Sequence, residues 1–233
     1  MKNNILPLTI LFLLIGCANQ KKMLQYGVHN KLDHSIEDKT GKQAVEAINI
    51  INDTIFVNLK NYSTDFIYDM RYATTDNFLK AKVYDCAECY LRLKTVKALV
   101  QANNAFLKKG FRIKLYDCYR PLDIQKRMWA IVANPEYVAN PAKGSIHNRG
   151  GAVDISLVDN RGKELDMGTA FDFFGKEAGH NYINLPRKVL RNRMLLKNIM
   201  IENNFKIFNS EWWHYNLNNA DKDKISNFKW ECE

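Results

Sequence analysis

Three side chains that could bind one metal ion occur in two short stretches of the chain. Residues 145–154 contain His147 and Asp154, and residues 211–214 end in His214. Zinc accepts imidazole nitrogen and carboxylate oxygen at similar distances, and a catalytic zinc site uses three protein ligands and keeps a fourth position open. We therefore predict that His147, Asp154 and His214 bind one zinc ion per chain.

The segment between His147 and Asp154 decides whether both side chains can reach the same ion. The two residues are seven apart, so a single straight strand would point them to opposite faces. Residues 148–151, Asn-Arg-Gly-Gly, are a strong turn signal, because glycine tolerates a positive φ and polar neighbours can bond to their own backbone. A reversal there lets the two ligands converge.

Glu211 lies three residues before His214 and is the predicted general acid and base. Two neutral histidines and one carboxylate leave a zinc centre with a net charge of roughly +1, which helps to lower the pKa of water toward about 7. The alternative is a surface hydrogen bond between His147 and Asp154, and Glu-x-x-His alone is weak evidence for a metal site. Only five histidines occur in the chain, and two of them lie in motifs with carboxylates at usable spacing.

The pattern of apolar residues predicts the elements that position these motifs. Period-two alternation predicts strands, and an apolar stripe that ends at Gly110 predicts a long helix. The predicted strands are 54–59, 111–115 and 205–208, the predicted helices are 90–109, 122–132 and 187–203, and a hairpin-type turn is predicted at 159–162. Pro121 suits the first turn of the second helix, and the strand before it places residues 117–120 in a loop.

Five motifs follow one another along the chain. They are Arg71-Tyr-Ala-Thr-Thr-Asp-Asn-Phe78, Tyr116-Asp-Cys-Tyr-Arg-Pro121, Ser145-x-His147-x-x-Gly150-x-Ala152-x-Asp154, Met167-Gly-Thr-Ala-Phe-Asp-Phe173 and Glu211-Trp-Trp-His-Tyr215. Together they resemble the D-alanyl-D-alanine dipeptidases of the VanX type, from about Phe56 through Leu217. The wider family includes D,D-carboxypeptidases and the Hedgehog signalling fold. The resemblance implies an α+β zinc peptidase fold in which helices flank a central antiparallel sheet.

The resemblance also implies roles for three further residues. Arg120 matches the arginine that stabilises the oxyanion of the tetrahedral intermediate, a task that suits a fixed cation in a dry pocket; the alternative is a surface salt bridge to Asp117 or Asp123. Asp172 matches the aspartate that receives the ammonium of the dipeptide, or else caps a helix or turn. Ser145 would help to position the same substrate, although its hydroxyl could equally be structural.

By resemblance, the reaction is hydrolysis of D-Ala-D-Ala to two D-Ala, in cell wall turnover or D-Ala salvage. One alternative is a zinc D,D-carboxypeptidase that trims peptidoglycan stems, which needs an open cleft. Another is a cell wall binding protein with a structural zinc site; Glu211 argues against it, because a structural site is usually closed by four ligands and needs no neighbouring base. The segment between Trp129 and His147 is shorter than in the resistance enzymes, which leaves the pocket size open.

The first residues of the chain predict export. An apolar run at 5–15 is too short for a comfortable membrane span, and Leu14-Ile-Gly-Cys17 resembles the lipobox of bacterial lipoproteins. We predict a signal peptide at 1–16 and a lipid on Cys17, against an uncleaved anchor or an incidental cysteine. The protein would then be an exported bacterial lipoprotein, anchored to a membrane and facing the periplasm or the cell exterior. Because the resistance enzymes act in the cytoplasm, export favours salvage over resistance.

The residues after the predicted lipid anchor differ in character from the rest of the chain. Residues 17–52 are polar and mixed in charge, with no sustained apolar periodicity, and predict a flexible tether with at most a short helix at 42–48. His29 and His34 lie in this tether and are interpreted as linker residues. Residues 53–233 form the predicted dipeptidase domain, a length that suits one domain.

The net charge of the chain does not indicate a nucleic acid partner. Removing residues 1–16, which hold one lysine and no acidic residue, lowers the formal net charge from +9 to +8 and leaves 217 of 233 residues. The lysines are spread along the chain without a concentrated basic stretch, so solvated faces explain them. The predicted partners are a small D-Ala peptide and the membrane that holds the anchor.

Four cysteines remain after Cys17, and in an exported domain they predict disulfides. Cys86, Cys89, Cys118 and Cys232 allow three pairings. We favour a bond between Cys89 and Cys118, which would join the start of the long helix to the loop that carries Arg120, and leave Cys86 with Cys232. The alternative, a redox or structural zinc pair at Cys86-x-x-Cys89, lacks a second pair at metal spacing.

Overall fold

The structure is a computed structural model and describes residues 53–232. The predicted signal peptide at 1–16, the tether at 17–52 with Cys17, His29 and His34, and the short helix at 42–48 lie outside the described residues. Across residues 53–232, no helix combines the length and the apolar character needed to cross a membrane.

Residues 53–232 form seven strands and three α-helices. The strands are β1 (Phe56–Asn58), β2 (Ile67–Tyr68), β3 (Tyr90–Arg92), β4 (Phe111–Asp117), β5 (Ala152–Asp159), β6 (Phe205–Phe208) and β7 (Glu211–Leu217). The helices are α1 (Leu93–Leu107), α2 (Leu122–Ile131) and α3 (Arg187–Glu202).

The five-stranded sheet has the order β2-β4-β5-β7-β6, and β1 and β3 form a separate antiparallel pair. Neighbouring strands of the large sheet are antiparallel, except that β2 runs parallel to β4 at one edge. Helices α1 and α3 contact one another and the sheet, and apolar residues of both belong to one buried core with those of the sheet. The predicted α+β fold with a central antiparallel sheet is therefore confirmed.

Strand β5 lies in the middle of the large sheet and is buried along nearly its whole length. Seven successive residues, from Ala152 to Val158, are buried, as expected for a strand covered on both faces. Two of them, Asp154 and Ser156, are polar. A carboxylate is costly to bury unless it has partners, so Asp154 needs hydrogen-bonding or cationic neighbours at this position.

Two of the predicted elements were wrong at their ends. Residues Tyr90–Arg92 were predicted as the start of a helix but form β3, because Leu91 is fully buried and the segment pairs with β1. Asp117 was predicted in a loop but is the last residue of β4, where it pairs with Asp154. The predicted helices at 122–132 and 187–203 match α2 and α3 to within one residue, and the strand at 205–208 is β6.

Two disulfides hold the segments around this sheet. Cys89 is bonded to Cys118, and Cys86 is bonded to Cys232, so the favoured pairing is confirmed. Cys118 directly follows β4, and Cys89 directly precedes β3. The first disulfide therefore joins the two sheets beside the loop that leads to Arg120.

Candidate active site

Three acceptor atoms of the predicted metal ligands converge on one point. Nε2 of His147 lies 3.2 Å from Nδ1 of His214 and 3.4 Å from Oδ1 of Asp154. Nδ1 of His214 lies 3.0 Å from the same carboxylate oxygen. These three residues are the group of potential metal ligands found within residues 53–232.

Strand pairing and one tight turn bring the three side chains together. Asp154 on β5 and His214 on β7 are direct partners across the antiparallel pair, so their side chains lie on the same face. His147 lies in a 3₁₀ turn that ends at Gly150, whose φ is +72°. A Cβ atom at Gly150 would lie 2.4 Å from the ring of Phe56, so both the backbone angle and the space require glycine there.

Hydrogen bonds on the far side of each imidazole fix which nitrogen faces the cluster. Nδ1 of His147 lies 2.7 Å from the carbonyl oxygen of Cys118, which can only accept, so this nitrogen carries the proton. Nε2 of His214 lies 2.9 Å from the side-chain oxygen of Asn216 and donates to it. Such outer hydrogen bonds orient metal-binding histidines in general. Each ring therefore turns its other nitrogen toward Asp154.

The geometry of this cluster fits a tetrahedral zinc ion. Bonds of about 2.0–2.1 Å at tetrahedral angles place ligand atoms about 3.3 Å apart, close to the three separations here. The charges and hydrogen bonds of both histidines lower the pKa of Asp154, against the burial that would raise it. Burial would lower the pKa of His214, but the hydrogen bond and charge of Asp154 raise it to about 9 when no metal ion is bound. Asp154 therefore stays ionised and stabilises a positive charge at this point, which is a proton on His214 in the absence of a metal ion.

Glu211, the predicted acid and base, lies beside this cluster at the start of β7. Its Oε2 is 3.8 Å from Nδ1 of His214, and its side chain is half-buried. Burial raises the pKa of Glu211, and the charge of Asp154 adds to this, while the charge of His214 lowers it. A carboxylate with a raised pKa can accept and return a proton more readily near neutral pH.

Arg120 is held by buried hydrogen-bond partners, so the alternative of a surface salt bridge is wrong in one respect. It does pair with Asp117, but both side chains are buried. Nε and Nη2 of Arg120 donate to Oδ2 of Asp117 at 3.2 and 2.6 Å, and Nη1 donates to Gln125 at 2.9 Å. Asp117 also accepts from the hydroxyl of Tyr84 at 2.7 Å. The guanidinium is thus fixed where it borders the cavity described below.

Asp172 adopts an unusual backbone conformation beside the same cavity. Its φ is +59°, in the left-handed region that few residues other than glycine, asparagine and aspartate adopt. Its two carboxylate oxygens accept hydrogen bonds of 3.2 and 3.0 Å from the hydroxyl of Tyr72. Burial raises the pKa of Asp172 well above its usual value, and the negative charge of Asp154 adds to this. A positive group next to Asp172 would be stabilised there.

Ser145 also reaches the site, but its hydroxyl already has a partner. Ser145 Oγ lies 3.2 Å from the side-chain oxygen of Asn148, and its backbone N–H donates to the same atom at 2.7 Å. The amide of Asn148 donates in turn to the carbonyl oxygen of Arg120 at 2.7 Å. Ser145 thus holds Asn148, which joins the turn that contains His147 to the loop that contains Arg120.

One cavity of about 290 Å³ collects the predicted site residues. Its walls include Arg120, Ser145, His147, Asp154, Asp172, Glu211 and His214. Four further residues bind the functional side chains from behind or beside them: Tyr72, Gln125, Asn148 and Asn216. Tyr72 lies in the motif that begins at Arg71 and Asn148 in the predicted turn at 148–151, but no motif contains Gln125 or Asn216.

Comparison with known proteins identifies the family of this chain. A family model described as D-ala-D-ala dipeptidase matches residues 52–231. The D-alanyl-D-alanine dipeptidase of Escherichia coli strain K12 is 34% identical over 167 residues, which cover 72% of this chain and 86% of that protein. The D-alanyl-D-alanine dipeptidase of Enterococcus faecium is 29% identical over 171 residues, or 64% of this chain and 85% of that protein. The chain therefore belongs to the D-Ala-D-Ala dipeptidase family, whose members are metal-dependent peptidases.

Proposed function

We propose that this chain is a zinc-dependent dipeptidase that hydrolyses D-Ala-D-Ala to two D-Ala. The observation that carries the proposal is the convergence of three acceptor atoms, on His147, Asp154 and His214, at 3.0–3.4 Å from one another. The relatives named above, both D-alanyl-D-alanine dipeptidases, support the substrate. The small cavity beside the cluster supports a short peptide as the substrate.

The three ligands would bind the metal ion, and Glu211 would transfer the proton. A zinc ion held by His147, Asp154 and His214 would polarise the peptide carbonyl and lower the pKa of water toward about 7. Glu211 lies within reach of the same point and takes the proton from the attacking water. Once protonated, Glu211 passes this proton to the leaving amine, which departs as the second D-Ala.

Arg120 supplies a fixed positive charge to the oxygen of the scissile carbonyl. That oxygen becomes an oxyanion in the tetrahedral transition state, and a preorganised cation in a dry site stabilises it without rearrangement. The salt bridge to Asp117 keeps the side chain in place. Since three of its five N–H groups donate to Asp117 and Gln125, two remain for an oxyanion.

Asp172 restricts the enzyme to free dipeptides. The ammonium of D-Ala-D-Ala would meet the carboxylate that Tyr72 orients, and the ammonium charge would favour the ionised form of Asp172. An N-acylated peptide would place an uncharged amide against this half-buried carboxylate. Leaving a buried charge unpaired costs about 2–5 kcal/mol, which disfavours the longer substrate.

The N-terminal residues support an extracytoplasmic role for the enzyme. A signal peptide at 1–16 and a lipid on Cys17 would anchor the catalytic domain to a membrane, facing the periplasm or the cell exterior. There the enzyme would recover D-Ala from dipeptides released in cell wall turnover. Replacing Cys17 with alanine should release the protein from the membrane fraction, and retention of the variant there would contradict the lipid anchor.

The proposal is tested by measuring D-Ala release from D-Ala-D-Ala and from N-acetyl-D-Ala-D-Ala. We expect cleavage of the free dipeptide at a kcat/KM at least about 30-fold above that of the acetylated one. A chelator should abolish the activity, and added zinc should restore it. Equal cleavage of both peptides would favour a D,D-carboxypeptidase. Zinc binding without cleavage of either peptide would favour a binding protein.

A further inference from the structure

Gln125 is a buried polar side chain that contacts Arg120 without lining the cavity. It is fully buried on the inner side of α2. Its Oε1 accepts the hydrogen bond from Nη1 of Arg120 at 2.9 Å, and its Nε2 donates to the carbonyl oxygen of Ala139 at 2.6 Å. The orientation of the amide is fixed chemically, because the guanidinium can only donate and the carbonyl can only accept.

The two partners of the Gln125 amide, Arg120 and Ala139, belong to different segments of the cavity wall. Arg120 lies at the junction between β4 and α2, and Ala139 belongs to the segment 135–139, four residues of which line the cavity. Tyr137 in this segment is 43% exposed, and Val138 next to it is buried. Gln125 therefore connects the guanidinium to a second segment of the cavity wall.

Gln125 and Asp117 hold different edges of the guanidinium. Asp117 accepts from Nε and Nη2, and Gln125 accepts from Nη1, so the planar group cannot rotate about its last bonds without breaking one of these contacts. The amide is also neutral. Asp117 already offsets the positive charge of Arg120, and a second carboxylate at position 125 would weaken the charge available to an oxyanion.

We infer that Gln125 is a positioning residue for hydrolysis, acting through Arg120 and joining it to the cavity wall. The inference rests on the proposed function, because it matters only if Arg120 stabilises the transition state. Gln125 does not reach the substrate itself. A small displacement of a catalytic group can cost up to about 100-fold in rate. The loss should fall on kcat and leave KM nearly unchanged, since the oxyanion exists only in the transition state.

The experiment is a double-mutant cycle in the full-length, zinc-loaded protein with D-Ala-D-Ala. Arg120→Met should lower kcat about 10²–10³-fold. Gln125→Met, which removes both hydrogen bonds at similar volume, should lower kcat about 10- to 100-fold in the presence of Arg120. In the Arg120→Met background, the same change should lower kcat less than about twofold, because its effect passes through the missing side chain. Gln101→Met, on the exposed side of α1, is the matched control and should change nothing.

The outcomes separate this inference from the proposed function. An equal loss of kcat from Gln125→Met in both backgrounds would overturn the inference and assign Gln125 to the fold alone. An unchanged kcat in Arg120→Met would instead refute the role of Arg120 in the proposed function. If Gln125→Met does not fold, Gln125→Asn takes its place in the cycle. Asparagine keeps a neutral amide but is one methylene shorter, so it cannot hold both Arg120 and Ala139, and its loss of kcat should again disappear in the Arg120→Met background.

Discussion

The two halves of the active site are built in different ways. The metal half rests on β5, β7 and one tight turn, and His147 and Asp154 are nearly fully buried, at 3% and 4% exposure. The substrate half rests on loops. Asp172 has a left-handed backbone outside any helix or strand, and Tyr137 in the cavity wall is 43% exposed.

In the proposed function, this difference separates the residues that cleave the peptide bond from those that select the substrate. Strand register sets the spacing of two proposed metal ligands, Asp154 and His214, and a shift of one residue would turn every side chain of a strand to the other face. Loops tolerate change more easily and carry specificity in many enzymes. We therefore expect changes in the metal half to abolish turnover, and changes in the substrate half to alter which peptide is cleaved.

Glu211→Gln should produce the largest effect on turnover, because the amide cannot accept the proton of water. General acid and base catalysis contributes about 10²–10⁴-fold, so kcat should fall by at least that factor. The variant should keep its metal, since Glu211 lies 3.8 Å from His214 and outside the ligand set. Steady-state kinetics with parallel metal analysis checks both points. A kcat near that of the wild type would rule out this role.

Asp172→Asn should change substrate choice and leave the metal half intact. Losing the carboxylate from a close charge pair costs about 2–5 kcal/mol in kcat/KM for D-Ala-D-Ala. The ratio of kcat/KM for D-Ala-D-Ala to that for N-acetyl-D-Ala-D-Ala should fall, because the acetylated peptide no longer meets a charged carboxylate. Asparagine tolerates the positive φ of 59° at this position, so Asp172→Asn avoids the backbone strain that alanine would add. An unchanged preference between the two peptides would make Asp172 structural.

Asn216→Ala should lower the affinity for zinc, although Asn216 is not one of the proposed ligands. The side-chain oxygen of Asn216 accepts from Nε2 of His214 at 2.9 Å and so presents the other nitrogen to the cluster. Loss of such an outer partner typically costs about 10–100-fold in metal affinity. Competition with a chromophoric zinc chelator measures this affinity. Asn218→Ala is the control, because Asn218 lies one residue beyond β7 and its side chain donates to Asn204 and not to a histidine. An equal affinity in both variants would contradict the role of Asn216.

His180→Gln should have the smallest effect, which is a change in the stability of the fold at acidic pH. Burial lowers the pKa of His180 to about 4, and the positive charges of Lys197 and Arg193 on α3 add to this, while a hydrogen bond to the backbone of Glu211 opposes it. The unfolded chain therefore binds more protons between about pH 4 and 6.5, and the free energy of unfolding falls as pH falls through that window. Chemical denaturation should show that the free energy of unfolding changes less between pH 7 and pH 4.5 in His180→Gln than in the wild type. An equal change in both proteins would refute the contribution of His180.

The sequence predicted the parts of the site whose signal is local. Glycines 150 and 151 indicated the turn that brings His147 toward Asp154, and the alternation in residues 111–115 indicated the strand that leads to Arg120. The disulfide between Cys89 and Cys118 could also be chosen, because only three pairings were possible. Local sequence patterns were thus sufficient to predict the turn and the strand that position His147 and Arg120.

The sequence could not predict features that depend on distant contacts. Residues Tyr90–Arg92 continue the apolar pattern of α1, but pairing with β1 makes them a strand. Asp117 has no local feature that distinguishes a buried partner of Arg120 from a surface aspartate. The amides of Gln125 and Asn216 acquire their roles only when the fold places them behind Arg120 and His214. Tertiary packing decides such positions.

Zinc binding by His147, Asp154 and His214 can be measured directly. The measurement is the zinc content of purified wild-type, His214→Ala and His180→Gln proteins by elemental analysis, with circular dichroism to show that each is folded. We predict one zinc ion per chain in the wild type and in His180→Gln, whose histidine lies outside the ligand set, and little or none in His214→Ala. A folded His214→Ala protein that retains one zinc ion per chain would contradict the assignment.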